Sequence, residues 1–112
     1  MNIYRYKAIL VVNMLPINIY TPEEVSMQLA NNSKQLRLSK NMSRKTLALH
    51  SGVSLGSIQR FEQSGKVSLE NLLKIAHSLS ALQEFQTLLQ LPEPKSIREL
   101  EQQENLPQRG RL

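Results

Sequence analysis

The chain has 112 residues, no cysteine and a formal net charge of +5 at pH 7. This length allows one domain with a modest core, and the lack of cysteine excludes disulfides, thiolate catalysis and cysteine-ligated zinc. Hydrophobic residues make up 40% of the chain and aromatic residues only 4%, which favours an aliphatic, helical core. We expect no cofactor and no metal, because His50 and His77, the only histidines, are too far apart for a metal-binding pair on one helix. No apolar run approaches the length of a membrane span, so we expect a cytoplasmic protein.

Residues 1–20 form an extension rich in β-branched and aromatic residues that precedes the predicted domain. Two interpretations stand side by side: a disordered leader, or a strand that pairs across a dimer or with a partner chain. Met14 offers an alternative start to Met1, and residues 1–13 would then be dispensable.

Residues 21–91 are predicted to form an all-α domain of five helices. The letters TPEE at residues 21–24 are a helix start, with Thr21 as the N-cap and Glu24 completing a capping box. The first helix is expected from about residue 22 to residue 40, with Asn41 as a left-handed terminator. Its inward positions are predicted at Val25, Leu29 and Leu36.

Serine and glycine mark the ends of the next helices. Ser43 and Ser54 are predicted to begin the second and third helices, and Gly52 and Gly65 to end them. Ser68 is predicted to begin the fourth helix. The apolar stripe of that helix is predicted to consist of Leu69, Leu72, Leu73, Ala76 and Leu79.

A fifth helix is predicted to begin near Leu82 and to end before Pro92. Its apolar side chains exceed what a small core readily buries, which favours a homodimer; the alternative is that they close the core of the monomer. The dimer candidates are Leu82, Phe85, Leu88 and Leu89.

The tail, residues 92–112, is polar. It is either disordered or forms a short helix at about residues 97–104, whose Ile97 and Leu100 would contact a partner. Arg109 and Arg111 would alternatively enter a minor groove of DNA.

The most informative stretch is SRKTLALHSGVSLGSIQRFE, residues 43–62. It predicts two short helices that cross steeply at Ala48, are joined by a turn at Gly52, and are fixed to the core by Ile58 and Phe61. Four cations against Glu62 give residues 43–66 a charge of +3, where the excess peaks. The outward face of the second helix has no acidic residue and suits a DNA major groove, which admits one α-helix. That face consists of Leu55, Gly56, Ser57, Gln59, Arg60 and Gln63.

These residues resemble the Xre/lambda-repressor-type helix-turn-helix family, whose members are compact five-helix DNA-binding domains. The resemblance covers about residues 22–90. Residues 53–79, VSLGSIQRFEQSGKVSLENLLKIAHSL, are similar to HipB-like antitoxins, which are usually encoded beside HipA-like kinase toxins. The matching features are Leu36-Arg37, Ala48, Gly52, Ile58, and Phe61-Glu62 followed by Gly65.

The resemblance implies roles for individual residues. An ion pair between Arg37 and Glu62 would tie the first helix to the end of the third, and Arg44 would contact a backbone phosphate. Arg60 is the candidate for bidentate recognition of guanine, whereas Leu55 offers only apolar contact with a thymine methyl. The base-edge candidates are Leu55, Gly56, Ser57, Gln59 and Arg60, and the phosphate candidates are Arg44, Lys45, Ser54, Gln63 and Lys66.

The resemblance thus implies a non-enzymatic repressor that binds a palindromic operator in double-stranded DNA as a homodimer. It further implies the antitoxin side of a toxin–antitoxin operon, with autoregulation and a HipA-like kinase as partner. The alternatives are a stand-alone phage or chromosomal repressor and a protein-interaction module that does not bind DNA. An enzyme is not expected, since the four glycines are too scattered for a phosphate-binding loop and no catalytic grouping is evident.

Overall fold

The computed structural model describes residues 20–110, and the predicted β-prone extension lies almost wholly outside this range. The described residues form helices and no strand, which confirms the all-α class. The α-helices are α1 (Pro22–Ser39), α2 (Arg44–Ser51), α3 (Leu55–Ser64), α4 (Leu69–Ser78) and α5 (Ile97–Glu104), with a 3-10 helix at Leu82–Thr87 between α4 and α5.

Every one of these α-helices begins at a hydroxyl side chain that accepts a hydrogen bond from a backbone N–H three residues later. The predicted caps Thr21, Ser43, Ser54 and Ser68 are confirmed, with oxygen–nitrogen distances of 3.0–3.1 Å. Each cap satisfies one of the free N–H groups of a first turn. Ser96 plays the same part at the start of α5.

The core lies where α1 packs on α3 and where α2 packs on both α3 and α4. It is aliphatic apart from Phe61, as the composition predicts. Five partly buried residues pack against the core: Leu36, Met42, Ala48, Val67 and Leu72. The buried members are Ala30, Leu47, Val53, Ile58, Phe61, Ile75 and Leu79.

The inward face of α1 differs from the prediction. Val25 and Leu29 are exposed, and the buried residues of α1 are Ala30 and Arg37. The spacing of large apolar residues did not reveal this face because it consists of small and charged residues. On α4, likewise, the predicted Leu69 is exposed and Ile75 takes the buried position.

The chain divides after Leu82 into two compact units. The predicted fifth helix is a 3-10 helix of six residues, Leu82–Thr87, rather than a longer α-helix. The predicted tail helix is present as α5, and the Gln103 side chain donates a 2.7 Å hydrogen bond to the Pro92 carbonyl.

Gly52 and Gly65 end α2 and α3 in the same left-handed conformation, each with a φ of +75°. Their surroundings differ. A Cβ at Gly52 would meet no atom within 4 Å, but a Cβ at Gly65 would lie 2.9 Å from the carbonyl carbon of Ser26 and 3.0 Å from the nitrogen of Met27. Gly65 therefore serves both the turn and the close approach of α1, which only a residue without a side chain allows.

A buried ion cluster joins the first three helices. The Arg37 guanidinium on α1 donates from Nε and Nη2 to the two carboxylate oxygens of Glu62 on α3, each at 3.0 Å. Its Nη1 donates to the Met42 carbonyl at 2.8 Å, which fixes the connection between α1 and α2. Arg44 at the start of α2 adds a third bond to Glu62, from Nε to Oε1 at 3.1 Å. The Glu62 side chain is only 1% exposed, so this cluster replaces its water shell.

Glu62 is held as a carboxylate by these partners. Burial by itself raises the pKa of Glu62, but the hydrogen bonds and positive charges of Arg37 and Arg44 outweigh burial and lower the pKa below its ordinary value. A lowered pKa in the folded state means that ionised Glu62 stabilises the fold at neutral pH.

The two glycines provide a matched test of the close approach. We expect Gly52→Ala to lower the free energy of unfolding by about 1 kcal/mol, because only the left-handed backbone is strained. Gly65→Ala is expected to cost about 1–3 kcal/mol more, because the new methyl must push α1 away. Urea unfolding of both variants measures the difference. Equal losses would contradict the packing role of Gly65.

Glu62→Gln is expected to destabilise the protein by about 3–5 kcal/mol at pH 7, because Arg37 stays buried without an opposite charge. The exposed Glu70, which pairs with Lys74 at 3.3 Å, provides the control: Glu70→Gln should cost less than about 1 kcal/mol.

The same substitution predicts a pH dependence. The contribution of ionised Glu62 is complete above the unfolded-state pKa of about 4.3 and is lost as the pH falls through the lower pKa of the folded state. The stability gap between wild type and Glu62→Gln should therefore narrow below about pH 4, as measured by urea unfolding across pH. A gap that stays constant would show that the carboxylate charge is not what stabilises the cluster.

Candidate nucleic-acid interface

Helix α3 is fixed by one face and presents the other to solvent. Ile58 and Phe61 are each 1% exposed and pack in the core. The opposite face is acid-free, as the sequence analysis expected, and most of it is exposed to solvent. Of the predicted face residues, Ser57 is half-buried, and the exposed ones are Leu55, Gly56, Gln59, Arg60 and Gln63.

The start of α3 is closed by a pair of serines. Ser54 Oγ accepts from the Ser57 backbone N–H at 3.1 Å and donates to Ser57 Oγ at 2.8 Å. These two hydroxyls are therefore engaged in capping, while the backbone N–H groups of Leu55 and Gly56 belong to the first turn, where a helix carries partial positive charge.

The charge of the first turns separates the two helices of the motif from the other α-helices of residues 20–110. Helices α1, α4 and α5 each carry at least one glutamate in the first turn, which offsets the positive end of the helix dipole. Helices α2 and α3 carry none. In α2 the first two residues are instead Arg44 and Lys45, so the cations and the dipole add up at one end. This arrangement favours an anionic ligand.

A depression of about 400 Å³ lies beside α3, where the chain turns into α4. Two cations, Arg60 and Lys66, border it, and neither side chain makes a hydrogen bond or ion pair with another residue of the described chain. Both charges are thus available to a ligand. The remaining lining residues are Ser57, Val67, Ser68 and Asn71.

The phosphate candidates Arg44 and Lys45 have different surroundings. Lys45 is exposed, whereas the Arg44 side chain is 36% exposed and bound to Glu62. The sequence analysis paired Glu62 with Arg37 alone. It missed Arg44 because nothing in the spacing of the two residues, 18 apart, shows that the crossing of α2 and α3 brings them together.

The dimer candidates fall into two groups. Leu82 and Phe85 are half-buried, whereas Leu88 is 60% exposed and Leu89 is fully exposed. Leu89 also has a φ of +63°, in the left-handed region that costs a branched side chain about 1–2 kcal/mol. Leu88 and Leu89 therefore do not serve to close a core within the described residues.

None of the helices found between residues 20 and 110 has the length and apolar content needed to cross a membrane. Two searches, one of curated proteins and one of solved structures, found no significant match to the chain. A protein-family model described as helix-turn-helix matches residues 34–80. The matched segment runs from the last turn and a half of α1 to just beyond the end of α4 and includes the α2–turn–α3 pair with its capped ends and exposed face. Over these residues, which make up less than half of the chain, the protein is similar to helix-turn-helix domains.

Proposed function

We propose that the protein is a transcriptional repressor that binds double-stranded DNA sequence-specifically, with α3 as the recognition helix in the major groove. The observation that carries the proposal is the exposed, acid-free face of α3 within a helix-turn-helix domain. A major groove accommodates one α-helix, and a face without carboxylates avoids repulsion by the phosphates that flank the groove.

Base recognition is assigned to the outward side chains of α3. Arg60 would donate two hydrogen bonds to the O6 and N7 atoms of a guanine, and Gln59 would pair with adenine. Leu55 would pack on a thymine methyl, and Ser57, already bound to Ser54, would lie at the edge of the contact.

Gly56 would let the backbone of α3 approach the bases closely. The folded protein alone does not need a glycine there, since the residue is helical and a Cβ would meet open space. Glycine in a helix costs about 0.5–1 kcal/mol relative to alanine. A close approach to DNA would offset that cost.

Phosphate binding is assigned to residues at the positive ends of α2 and α3 and to residues near the C-terminal end of α3. Lys45 and Lys66 are exposed cations, and Ser54 and Gln63 lie exposed at the two ends of α3. Arg44 shares this role through its free Nη groups. Each phosphate neutralised would add about one to the slope of binding against salt concentration.

The first test is the substitution Arg60→Ala. We expect it to weaken binding to the preferred duplex by about 1–3 kcal/mol and to relax the preference at one base pair, because the bidentate contact to guanine is lost. A duplex enriched from a random library by the wild-type protein serves as the operator, and fluorescence anisotropy measures affinity for it and for its single-base variants.

Lys74→Ala is the matched control for this experiment. It also removes one cation, but Lys74 lies on α4 and pairs with Glu70, so sequence preference should stay as in the wild type. If the Arg60→Ala protein keeps the affinity and the base preference of the wild type, α3 is not the recognition helix. Failure of the wild type to enrich any duplex would favour a protein-interaction module instead.

We further propose that the repressor acts as a homodimer on a palindromic operator. One recognition helix contacts only a few base pairs, and a two-fold dimer would place two of them about 34–36 Å apart in successive major grooves. The proposed contact uses Leu88 and Leu89 of the second unit, with Phe85 and Leu82 as the adjoining candidates. Exposure and backbone strain at Leu89 support this choice, because burial against a second copy would compensate for both.

A paired serine substitution tests the dimer. Leu88→Ser with Leu89→Ser should shift the protein from dimer to monomer in sedimentation equilibrium at micromolar concentration, because the apolar contact is removed. Leu69→Ser is the control, since Leu69 is a comparably exposed leucine on α4 that takes no part in the proposed contact. A dimer that persists in the double variant would place the interface elsewhere.

The finer form of the proposal is an autoregulating repressor on the antitoxin side of a toxin–antitoxin operon, with a HipA-like kinase as partner. The proposal rests on the resemblance to HipB-like antitoxins noted for residues 53–79 in the sequence, and exposed Ile97 and Leu100 on α5 offer an apolar contact. The alternative is a stand-alone phage or chromosomal repressor. A HipA-like kinase gene beside the coding sequence, and a complex of the two proteins on co-expression, would distinguish the first from the second.

A further inference from the structure

We infer that Glu62 is a positioning residue for DNA binding: it holds the Arg44 guanidinium so that its two Nη groups bind one backbone phosphate beside α3. The inference rests on the proposed DNA-binding function and deepens it. The ion pair between Arg44 on α2 and Glu62 on α3 would then contribute to DNA binding as well as to folding.

The geometry of Arg44 differs from that of its partner Arg37. Arg37 uses all three guanidinium nitrogens inside the protein and is buried. Arg44 uses Nε alone, for Glu62 Oε1, and is 36% exposed. Its Nη1 and Nη2 donate to no atom of residues 20–110, so they are free for a ligand on the solvent side.

Helix periodicity places this guanidinium next to the proposed recognition face. Glu62 is three residues from Gln59 on the exposed face and four residues from Ile58 in the core, so it lies at the border between the two. A guanidinium bound to Glu62 is thus adjacent to the side chains assigned to the bases. Its position at the first residue of α2 adds the positive end of that helix, whose first turn has no acidic residue.

An arginine can bridge a carboxylate and a phosphate, but a lysine cannot do so equally well. The planar guanidinium offers Nε to one oxyanion and two Nη groups to another in a fixed geometry. An ammonium at residue 44 would keep the charge, but it would bind Glu62 with its single nitrogen and leave no oriented pair of donors for DNA. The proposal therefore makes residue 44 sensitive to replacement of arginine by lysine.

The test compares two neighbouring cations. Arg44→Lys and Arg44→Gln are each expected to weaken binding to the duplex enriched by the wild type about tenfold, the effect of losing charge-assisted hydrogen bonds. Only Arg44→Gln should also reduce the salt slope of binding by about one, because Arg44→Lys keeps the positive charge. At exposed Lys45, Lys45→Arg should bind like the wild type and only Lys45→Gln should weaken binding. Thermal unfolding should be measured for all four variants to check that each is folded.

If the Glu62→Gln variant folds, it tests directly whether Glu62 positions Arg44. With the carboxylate removed, Arg44 is no longer held, so Arg44→Gln should cost less than threefold in the Glu62→Gln background against about tenfold in the wild-type background. Where Glu62→Gln does not fold, the comparison of residues 44 and 45 decides alone.

Three outcomes overturn the inference, and they are distinguishable. Wild-type affinity in Arg44→Lys would show that residue 44 contributes charge only. An undiminished effect of Arg44→Gln in the Glu62→Gln background would show that Glu62 does not position it. A wild-type protein that enriches no duplex would overturn the proposed function itself, and this inference with it.

Discussion

The structure of the first unit depends on one buried carboxylate. Glu62 contacts arginines from α1 and α2, and the Arg37 that it binds also fixes the connection between those helices through the Met42 carbonyl. A charge removed from water is tolerated only where its hydrogen bonds and opposite charges are supplied, which is the case here. The aliphatic core provides the burial, but it is non-directional. The ion cluster defines which ends of the helices meet.

The consequence for the recognition face is geometric. Ile58 and Phe61 fix the rotation of α3 about its axis, and Glu62 fixes its end against α1 and α2. The proposed base contacts therefore lie on a helix that is restrained by its own packing before any ligand binds. Rigid presentation of this kind reduces the entropy that must be lost on binding.

The sequence predicted the helices well where their signals are local. Caps at Thr21, Ser43, Ser54 and Ser68 and a left-handed Asn41 were correct because each depends on a few neighbouring residues. The predicted capping box at Thr21 is only half present. Within residues 20–110 the Glu24 backbone N–H donates to the Thr21 hydroxyl, but the Glu24 side chain makes no return hydrogen bond.

Features that depend on tertiary contact were harder to predict. The inward face of α1 escaped the search for apolar periodicity because Ala30 and Arg37, not leucines, are buried there. The bond from Arg44 to Glu62 depends on how α2 and α3 cross, which the sequence does not show. Residues Leu82–Thr87 form a 3-10 helix, and the spacing of apolar residues there does not distinguish it from an α-helix. For the candidate site, most of the DNA-contact candidates named from the sequence are exposed, but Ser57 and Arg44 are half-buried. The depression beside α3 became visible only in three dimensions.

The first turns of α2 and α3 have no acidic residue, which implies a conflict between selection for stability and selection for binding an anionic ligand. Replacing Lys45 or Gly56 by glutamate would improve helix energetics, through the dipole at either position and through helix propensity at Gly56. Directed evolution for heat resistance alone would therefore be drawn to these positions, and its products would carry negative charge where the wild type is neutral or basic. If α3 is the recognition helix as proposed, a thermostable variant obtained in this way would bind DNA more weakly than the wild type, because its new carboxylate would face the phosphates.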